Sequence, residues 1–494
     1  MRNLVHVILW GEEIGSLLWR EERQNSYFVY NPAYASKNEE PFPLIAPKNN
    51  IATKSYTGED RRIYQHLPAF IADSLPDDWG NVLFEQWISD NDLSDSEITP
   101  LDKLIFIGKR GMGALEFEPD EAPQPYKEPV DIGELARLAH KVFVERENAH
   151  ILPDEMLTKQ LLISVGTSAG GRQPKAIIAI NRATGEIRSG QIAGMDDCDY
   201  YILKFGDSNR SSAELEMTYY KMATEAGIDM MPSRLLETDG ERHFLTQRFD
   251  RMGGEKQHLQ TLAAMDPDAD SYEKLLLVCR RLHLPDSSAD EVFRRMVFNY
   301  LANNTDDHNK NFSFIMNREG VWRLSPAYDM TFIFNSGGYQ PEMEHCLLMQ
   351  GKYKRWTKDN VLHFAEKYGV NEPMKIIRRV AGTLAQFRKL AEQNNVKSEW
   401  IGRIETTINK HLQEWGFATM HRAEEWTTDD GRHVTDIYLE QAYKGNIHLY
   451  ATIDGKQKRY VFRLASAEYK HIAAQGINNV TCRLLHELVE LYLL

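Results

Sequence analysis

The feature that most constrains the fold is a polar loop placed between a buried helix and a tight hairpin. Residues 292–301 carry apolar side chains at a period near 3.6, which predicts a helix with one buried face. The helix runs into the loop 304–311, Asn-Thr-Asp-Asp-His-Asn-Lys-Asn. Two short strands, 312–316 and 321–324, follow with a turn between them, and Asp329 comes shortly after the second strand. This order is improbable for an unrelated set of helix caps and turns.

Asp306 and Asn311 stand five residues apart in this loop, and the spacing indicates phosphoryl transfer. That chemistry needs a carboxylate near the attacking hydroxyl and oxygen ligands for Mg²⁺. In the catalytic loop of protein kinases, an aspartate orients the substrate hydroxyl and an asparagine five residues later holds a metal. The pattern therefore predicts a catalytic set of Asp306, Asn311 and Asp329, with Asn311 and Asp329 as the metal ligands.

Three features upstream of the loop suit the handling of ATP phosphates. The glycine-rich segment 166–175 could close over them, since glycine lets the backbone approach closely, although a plain hairpin turn is an alternative. Lys204 lies in the otherwise apolar strand 200–205, where it is either a phosphate ligand or an edge-strand lysine. Glu216 lies on the next helix and either pairs with Lys204 or faces solvent. Ser211 and Glu214 fit a capping box at the start of that helix.

The remaining loop residues allow more than one interpretation. His308 suits an ordering role in the loop better than metal ligation, and Lys310 either reaches a phosphate or faces solvent. A rival hypothesis takes Asp306, Asp307, His308 and Asp329 as the metal cluster of a hydrolase. That hypothesis leaves the glycine-rich segment and the strand lysine unexplained.

Length and composition set broad limits on the class of protein. A chain of 494 residues predicts two or three domains, and 42% hydrophobic and 26% charged residues are ordinary for a globular protein. No apolar run approaches the roughly 20 residues that a membrane span needs, and the first ten residues do not resemble a signal peptide. The four cysteines are scattered without a Cys-x-x-Cys pair, which favours a reducing cytoplasm over a disulfide framework.

The charge of the chain argues against direct DNA binding. A formal net charge of −14 repels a phosphate backbone unless a local basic patch compensates. Lys352, Lys354 and Arg355 form a small basic cluster that a solvated loop explains more simply. We therefore expect contact with DNA only through a partner protein.

Changes of pattern along the chain predict four regions. Residues 1–120 read as a small α/β subdomain, in which a helix starts around Pro76. A Pro-rich linker then leads into the glycine-rich segment and strands of residues 121–255, and residues 256–415 are mainly helical. Residues 416–494 predict three antiparallel strands and two helices, a further small domain of unknown role.

The segment Thr305–Ser313, followed by Tyr328 and Asp329, resembles the signature of HipA-type serine/threonine kinase toxins. The resemblance covers about residues 1–415, and it is specific because several motifs agree in order and spacing. Asp307 departs from the pattern, since a glycine often follows the catalytic aspartate in that family.

Other segments extend the resemblance and imply the fold. Residues 75–79 and 111–117 are similar to the N-terminal subdomain of that family, and residues 247–251 are similar to the hinge between its lobes. The resemblance implies an α+β protein with a two-lobed protein-kinase-like fold and an N-terminal α/β subdomain. Residues 416–494 would form a small C-terminal β/α appendage that exceeds the usual length of the family.

The resemblance also implies residue roles and cofactors. ATP and Mg²⁺ would be the cofactors, with Lys204 on the phosphates and Gln247 and Phe249 beside the adenine. Ser168 falls where the family carries an autophosphorylated serine, whose modification expels the phosphate loop and switches the kinase off. A phosphoserine there would place nearly two negative charges beside the ATP phosphates. The residues expected to bind ATP are Ser168, Ala169, Gly170, Gly171, Lys175, Lys204, Gln247, Phe249, His308 and Lys310.

Partners and alternatives complete the prediction. The resemblance implies a small HipB-like helix-turn-helix antitoxin that supplies DNA binding, and protein substrates such as an aminoacyl-tRNA synthetase. One alternative is a catalytically weak kinase-fold binding module that acts with an antitoxin in transcriptional regulation. Another alternative is a kinase that acts on a small molecule.

Overall fold

The computed structural model describes most of the chain. The described residues are 3–49, 55–59, 61–91, 98–119, 121, 129–145, 156–165, 173–191, 194–334, 344–417, 426–428, 430–441, 446–475, 480 and 482–494. Within these ranges, no helix combines the length and the apolar character that crossing a membrane requires.

The N-terminal region is a five-stranded antiparallel sheet with helices packed against it. Its strands are β1 (Leu4–Leu9), β2 (Glu12–Arg20), β3 (Asn25–Tyr30), β4 (Tyr56–Thr57) and β5 (Leu115–Glu118). Its helices are α1 (Ala69–Ala72), α2 (Asp78–Asp90) and α3 (Pro100–Ile107). The strand order is β4-β3-β2-β1-β5, and side chains alternate between core and solvent over residues 4–7 of β1 and 16–20 of β2.

Helix α2 begins two residues later than Pro76, around which the sequence predicts its start. The Asp77 carboxylate accepts a hydrogen bond of 2.6 Å from the backbone N–H of Gly80, so Asp77 is the N-cap. Pro76 therefore precedes the helix.

A second five-stranded antiparallel sheet follows and forms the N-lobe. Its strands are β6 (Lys175–Asn181), β7 (Ile187–Ser189), β8 (Cys198–Lys204), β9 (Ser233–Thr238) and β10 (Glu241–Gln247). The helices of this part are α4 (Ile132–Glu145), α5 (Met156–Val165) and α6 (Ser212–Glu225). The strand order is β7-β6-β8-β10-β9, and the predicted strands in this region are confirmed.

The start of helix α6 corrects one prediction. Ser211 has a left-handed backbone, with φ of 51°, and its side chain does not cap the helix, so the predicted capping box with Glu214 is wrong. The Ser211 hydroxyl instead accepts a hydrogen bond of 3.2 Å from the backbone N–H of Lys397, far along the chain. A long-range contact has replaced the local cap.

The C-lobe is mainly helical, as predicted. Its helices are α7 (Leu262–Met265), α8 (Tyr272–Arg281), α9 (Ser287–Leu301), α10 (Lys358–Tyr368), α11 (Pro373–Leu384), α12 (Phe387–Gln393) and α13 (Ser398–Glu414). Its strands are β11 (Arg251–Met252), β12 (Glu255–Lys256), β13 (His258–Thr261), β14 (Ser313–Met316) and β15 (Trp322–Leu324). Strands β14 and β15 are the predicted hairpin, closed by a 3.0 Å hydrogen bond from the N–H of Gly320 to the carbonyl of Asn317.

The C-terminal region forms a four-stranded antiparallel sheet with two helices. Its elements are β16 (Trp426–Thr427), β17 (His433–Gln441), β18 (Ile447–Ile453), β19 (Lys456–Phe462), α14 (Ala467–Gln475) and α15 (Cys482–Tyr492). The three predicted strands and both helices are confirmed, and the short strand β16 adds an edge.

The three largest hydrophobic cores of the described residues organise these regions. The first joins the N-terminal sheet to the N-lobe, since Val5, Trp79 and Leu203 belong to one buried cluster. The second fills the C-lobe, and the third lies wholly within residues 434–493. The region boundaries predicted from the sequence stay predictions, but the first two regions share a core.

His258 joins the N-terminal region to the C-lobe. Its Nε2 lies 2.9 Å from the carbonyl oxygen of Pro41, and its ring packs edge-on against Phe42 and Trp322. Burial lowers the pKa of His258 to about 4, so the ring is neutral in the folded protein. In the unfolded chain its pKa returns to about 6.5.

We predict that His258 makes stability depend on pH. Because its folded pKa is depressed, its contribution is fully present above about pH 6.5 and is lost as the pH falls toward 4, by up to about 3 kcal/mol. His258→Gln keeps a side-chain donor but does not titrate, so the unfolding free energy of that variant should fall less between these pH values. Urea unfolding at several pH values measures this, with the exposed His363→Gln as control. Equal slopes in the wild type and His258→Gln would contradict the prediction.

Candidate active site

The polar loop after helix α9 is folded back on itself. The amide nitrogen of Asn311 donates a hydrogen bond of 2.7 Å to the backbone carbonyl of Asp306, and the N–H of Asn311 donates to the carbonyl of His308 at 2.9 Å. The Asp306 carboxylate remains 53% exposed. The Asp-x4-Asn spacing therefore builds a closed loop that presents a carboxylate to solvent.

Asp307 points the other way and is buried. Its carboxylate accepts hydrogen bonds from the Tyr272 hydroxyl at 2.6 Å and from the Cys346 N–H at 2.8 Å, and it lies 2.9 Å from Nδ1 of His345. Burial, together with the Asp307 charge, raises the pKa of Tyr272 well above its usual value, so its hydroxyl remains a donor. Asp307 thus anchors the loop to the C-lobe.

This anchoring removes Asp307 from the rival hydrolase cluster. Across the described residues, which include Asp306, Asp307, His308 and Asp329, no group of three or more histidine, cysteine or acidic side chains is arranged to hold a metal. The geometry therefore gives the hydrolase hypothesis no support.

His308 and Lys310 shape the rest of the loop. Nδ1 of His308 accepts a hydrogen bond of 3.2 Å from the backbone N–H of Lys310, while Nε2 lies 3.9 Å from Oδ1 of Asp306. These contacts agree with an ordering role for His308. The side chain of Lys310 is exposed at the rim of the loop.

Lys204 ends strand β8 and is the centre of a buried ion cluster. Its Nζ donates to Oε1 of Glu216 on helix α6 and to Oδ1 of Asp329. Burial alone would lower the pKa of Lys204, but the charges of Asp329 and Glu216 outweigh it and raise that pKa. The sequence left open whether Glu216 pairs with Lys204 or faces solvent, and the structure shows the pair. The contact of Lys204 with Asp329 was not predicted.

Asp329 is held as an anion. Burial raises its pKa, but the positive charges of Lys204 and Lys175 oppose this more strongly, so the net pKa lies below its usual value. His308 acts in the same direction, which places the polar loop within electrostatic reach of Asp329. The backbone of Asp329 is left-handed, with φ of 56°, a strained conformation that occurs often at functional sites.

Asn311 and Asp329 have the chemistry of magnesium ligands. Mg²⁺ prefers oxygen donors, and it is bound through one or two carboxylates together with substrate phosphates. Asp329 offers an ionised carboxylate, and the hydrogen bond from the Asn311 amide nitrogen to Asp306 leaves the amide oxygen as the other polar atom of that side chain. The two residues therefore fit the metal by donor type and charge.

Lys175 is a second buried cation beside the cluster. It starts strand β6 and lies directly opposite Lys204 in the β6–β8 ladder. Its Nζ lies 3.4 Å from Oδ2 of Asp77, and its carbonyl accepts a hydrogen bond of 2.9 Å from the indole N–H of Trp79. The sequence predicted Lys175 as an ATP ligand but gave no signal that Asp77, an N-cap, would meet it.

The hinge residue Gln247 ends strand β10, and Phe249 lies two residues beyond it. The backbone N–H of Gln247 donates to the carbonyl of Pro232 at 3.0 Å, and the ring of Phe249 lies 5.7 Å from the ring of Tyr328. The Tyr328 hydroxyl donates a hydrogen bond of 2.8 Å to the carbonyl of Lys310. Tyr328 thus connects the hinge to the polar loop and immediately precedes Asp329.

An ion pair within the hinge segment 247–251 ties it to the N-terminal region. Arg248 and Asp250 form two parallel hydrogen bonds of 2.8 Å, and both side chains are fully buried. The Asp250 carboxylate also accepts a hydrogen bond of 2.6 Å from the N–H of Gly113, whose φ is 78°. A Cβ at Gly113 would lie 3.0 Å from Cβ of Leu259, so glycine permits this close docking.

The predicted residues Ser168, Ala169, Gly170 and Gly171 lie outside the described part of the chain. Among the other predicted residues, the structure brings Lys175, Lys204 and Asp329 into one charged cluster. Asp306, His308, Lys310 and Asn311 share the loop beside it.

Two family models match the chain. The "HipA N-terminal domain" matches residues 5–118, and the "HipA-like C-terminal domain" matches residues 167–388. The two ranges together span more than half of the chain. The site and these matches define a protein of the HipA-like kinase-fold class, and the chain belongs to the HipA family.

Curated relatives agree with this class. A Haemophilus influenzae protein named "Putative kinase" is 26% identical over 290 residues, which are 50% of this chain and 82% of that protein. A Sinorhizobium fredii protein named "Putative kinase Y4dM" is 28% identical over 234 residues, which are 43% of this chain and 56% of that protein.

A solved structure agrees with the fold. It is the complex of the Shewanella oneidensis MR-1 toxin–antitoxin proteins HipA and HipB with operator DNA. The matching chain has a TM-score of 0.57 at 16% identity, and the match covers 83% of this chain and 97% of that chain. The predicted α+β, two-lobed kinase-like fold is confirmed.

We predict that substitution of the two adjacent aspartates of the loop changes the stability of the protein to very different extents. Asp307→Ala should lower the free energy of unfolding by about 3 kcal/mol, because it leaves the buried side chains of Tyr272 and His345 and the N–H of Cys346 without their acceptor. Asp306→Ala should change it by less than about 0.5 kcal/mol, because that carboxylate is exposed. Chemical denaturation of both variants measures the difference. Equal stability losses would refute the division of roles between the two residues.

Proposed function

We propose that this chain is an ATP- and Mg²⁺-dependent serine/threonine protein kinase. The observation that carries the proposal is the buried ammonium of Lys204, shared by Glu216 and Asp329 beside a loop that exposes Asp306. A lysine paired with a helix glutamate and a nearby metal-binding aspartate are the parts that kinases align for phosphoryl transfer. The two curated relatives named as kinases support the same class.

The residues divide the reaction among them. Asp306 orients the acceptor hydroxyl and takes its proton as the new oxygen–phosphorus bond forms and the bond to the leaving diphosphate breaks. Lys204 and Lys175 face the phosphates with fixed positive charge, and Gln247 and Phe249 border the adenine. Mg²⁺ held by Asn311 and Asp329 would neutralise charge on the phosphate oxygens.

The proposal also includes a mode of regulation, a partner protein and a class of substrates. In this proposal Ser168, in the glycine-rich segment with Ala169, Gly170 and Gly171, is the site of an inhibitory autophosphorylation. The proposed partner is a HipB-like helix-turn-helix antitoxin, through which the chain would meet DNA. The solved relative, a complex of HipA, HipB and operator DNA, motivates that partner. The proposed substrates are serine or threonine residues of a translation factor such as an aminoacyl-tRNA synthetase.

We predict that Asp306→Asn abolishes catalysis without unfolding the protein. Incubation with γ-labelled ATP and Mg²⁺ should label the wild type, and the variant should lose at least about a hundredfold in rate, because an amide cannot take the hydroxyl proton. Thermal unfolding serves as the folding check. Undiminished labelling of the variant would remove Asp306 from its role, and equal growth arrest by both forms would show that toxicity does not need catalysis.

We predict that Ser168 is both the labelled residue and the off-switch. After preincubation with ATP, wild-type activity toward an added protein substrate should decline, because a phosphoserine adds close to two negative charges at the phosphate site. Ser168→Ala should stay active and unlabelled, while the neighbouring Thr167→Ala should behave like the wild type. Mass spectrometry locates the phosphate, and a decline that persists in Ser168→Ala would exclude this switch.

A further inference from the structure

Residues 73–79 join helix α1 to the first turn of helix α2 and contact both lobes of the protein beside the candidate site. This bridging turn belongs to the N-terminal region, which lies outside the two kinase-like lobes. Its acidic side chains at 73 and 77 lie four positions apart but reach different lobes.

On the N-lobe side, the bridging turn holds Lys175. Oδ2 of Asp77 lies 3.4 Å from the buried Nζ of Lys175, and the indole N–H of Trp79 donates to the carbonyl of the same lysine at 2.9 Å. Both the charged end and the backbone of Lys175 are therefore fixed by one turn. Since Lys175 lies opposite Lys204 in the ladder, this fixes a cation next to Asp329 and Glu216.

On the C-lobe side, the bridging turn holds Thr261 at the end of strand β13, which pairs with the strand that follows the polar loop. Both oxygens of the Asp73 carboxylate are used by Thr261, one accepting from its N–H at 2.7 Å and one from its hydroxyl at 2.6 Å. Thr261 lies opposite Ser313 in the β13–β14 ladder, and the Ser313 hydroxyl meets the hydroxyl of Tyr328 at 2.5 Å. Two residues, Thr261 and Ser313, therefore connect Asp73 to Tyr328, which precedes Asp329.

Charge supports this placement. Burial raises the pKa of Asp73, while the hydrogen bonds from Thr261 and the positive charge of Lys310 oppose the rise. Asp73 in turn acts on Tyr328, whose pKa burial raises above its usual value. The Asp73 carboxylate therefore interacts electrostatically with Lys310 in the polar loop and with Tyr328 after the hairpin.

We infer that Asp77 and Asp73 are positioning residues through which the N-terminal region fixes the geometry of the active site. Asp77 orients Lys175 toward the nucleotide phosphates, and Asp73 fixes the position of the polar loop relative to those phosphates. This inference rests on the proposed kinase function. It assigns the N-terminal region a direct part in catalysis, and it predicts that the two carboxylates affect different kinetic constants.

Asp77→Asn tests the N-lobe half. Asparagine caps a helix as well as aspartate, so α2 is preserved while the charge facing Lys175 is lost. We expect the KM for ATP to rise about tenfold with kcat changed less than about twofold, because one ligand-orienting ion pair is lost. Asp131→Asn is the matched control, since Asp131 accepts from the N–H of Glu134 at the start of α4, away from the site.

Asp73→Asn tests the C-lobe half. Asparagine has one acceptor oxygen where Asp73 has two, so one of the two Thr261 donors loses its acceptor and strand β13 is held less firmly. We expect kcat to fall about tenfold while the KM for ATP stays within about twofold. A general loss of structure would instead move both constants together in both variants.

ATP binding separates failure of this inference from failure of the proposed function. Calorimetry with Mg²⁺ and ATP is run on full-length protein carrying Asp306→Asn, alone and together with Asp77→Asn. Absence of binding by the parent would overturn the proposed function and the inference with it. Binding by the parent with an unchanged Kd in the Asp77→Asn form would overturn the inference alone.

A second variant keeps the test decisive if Asp77→Asn unfolds. Trp79→Phe keeps an aromatic ring in the core but removes the donor to the Lys175 carbonyl. A KM for ATP that rises in a folded Trp79→Phe protein, with kcat preserved, supports the inference. Wild-type kinetics in that variant would overturn it.

Discussion

The structure of the site depends on one buried ammonium group. Lys204 leaves water at a cost of several kcal/mol, and the carboxylates of Glu216 and Asp329 offset that cost with direct hydrogen bonds. The three residues come from strand β8, helix α6 and the segment after strand β15. Their mutual attraction therefore fixes how the N-lobe meets the C-lobe. Removal of the Lys204 charge would leave the carboxylates of Glu216 and Asp329 without the cation that they share, which is strongly destabilising.

The same logic explains why adjacent aspartates in the polar loop behave differently. Asp307 is fully buried and accepts from donors on helix α8 and on the segment around Cys346, so it anchors the loop. Because Asp307 anchors the loop to the C-lobe, the backbone directs the Asp306 carboxylate toward solvent. The amide nitrogen of Asn311 donates a hydrogen bond to the Asp306 carbonyl and closes the loop. Exposure of Asp306 is therefore a consequence of the burial of its neighbour.

The sequence predicted the parts of the site that local pattern encodes. Helix α9 and the hairpin of β14 and β15 follow from periodicity and short spacing, and they are confirmed. The sequence left open whether Glu216 pairs with Lys204, and the structure shows the pair. The capping box at Ser211 is wrong because a backbone N–H 186 residues away competes for the hydroxyl. The contacts of Asp77 and Asp73 were not predicted because their partners lie 98 and 188 residues away along the chain. In sequence, Asp77 reads as an ordinary N-cap and Asp73 as a residue at a helix end.

The cores show which parts of the chain the site needs. The N-terminal sheet and the N-lobe share one core, and the bridging turn within it reaches Lys175 and Thr261, so the site cannot keep its geometry apart from that region. The core within residues 434–493 draws only on its own strands and helices. A substitution in that core disturbs packing that the ion cluster around Lys204 does not share. Substitutions in that core should therefore affect the candidate active site less than substitutions in the core that the N-terminal sheet shares with the N-lobe.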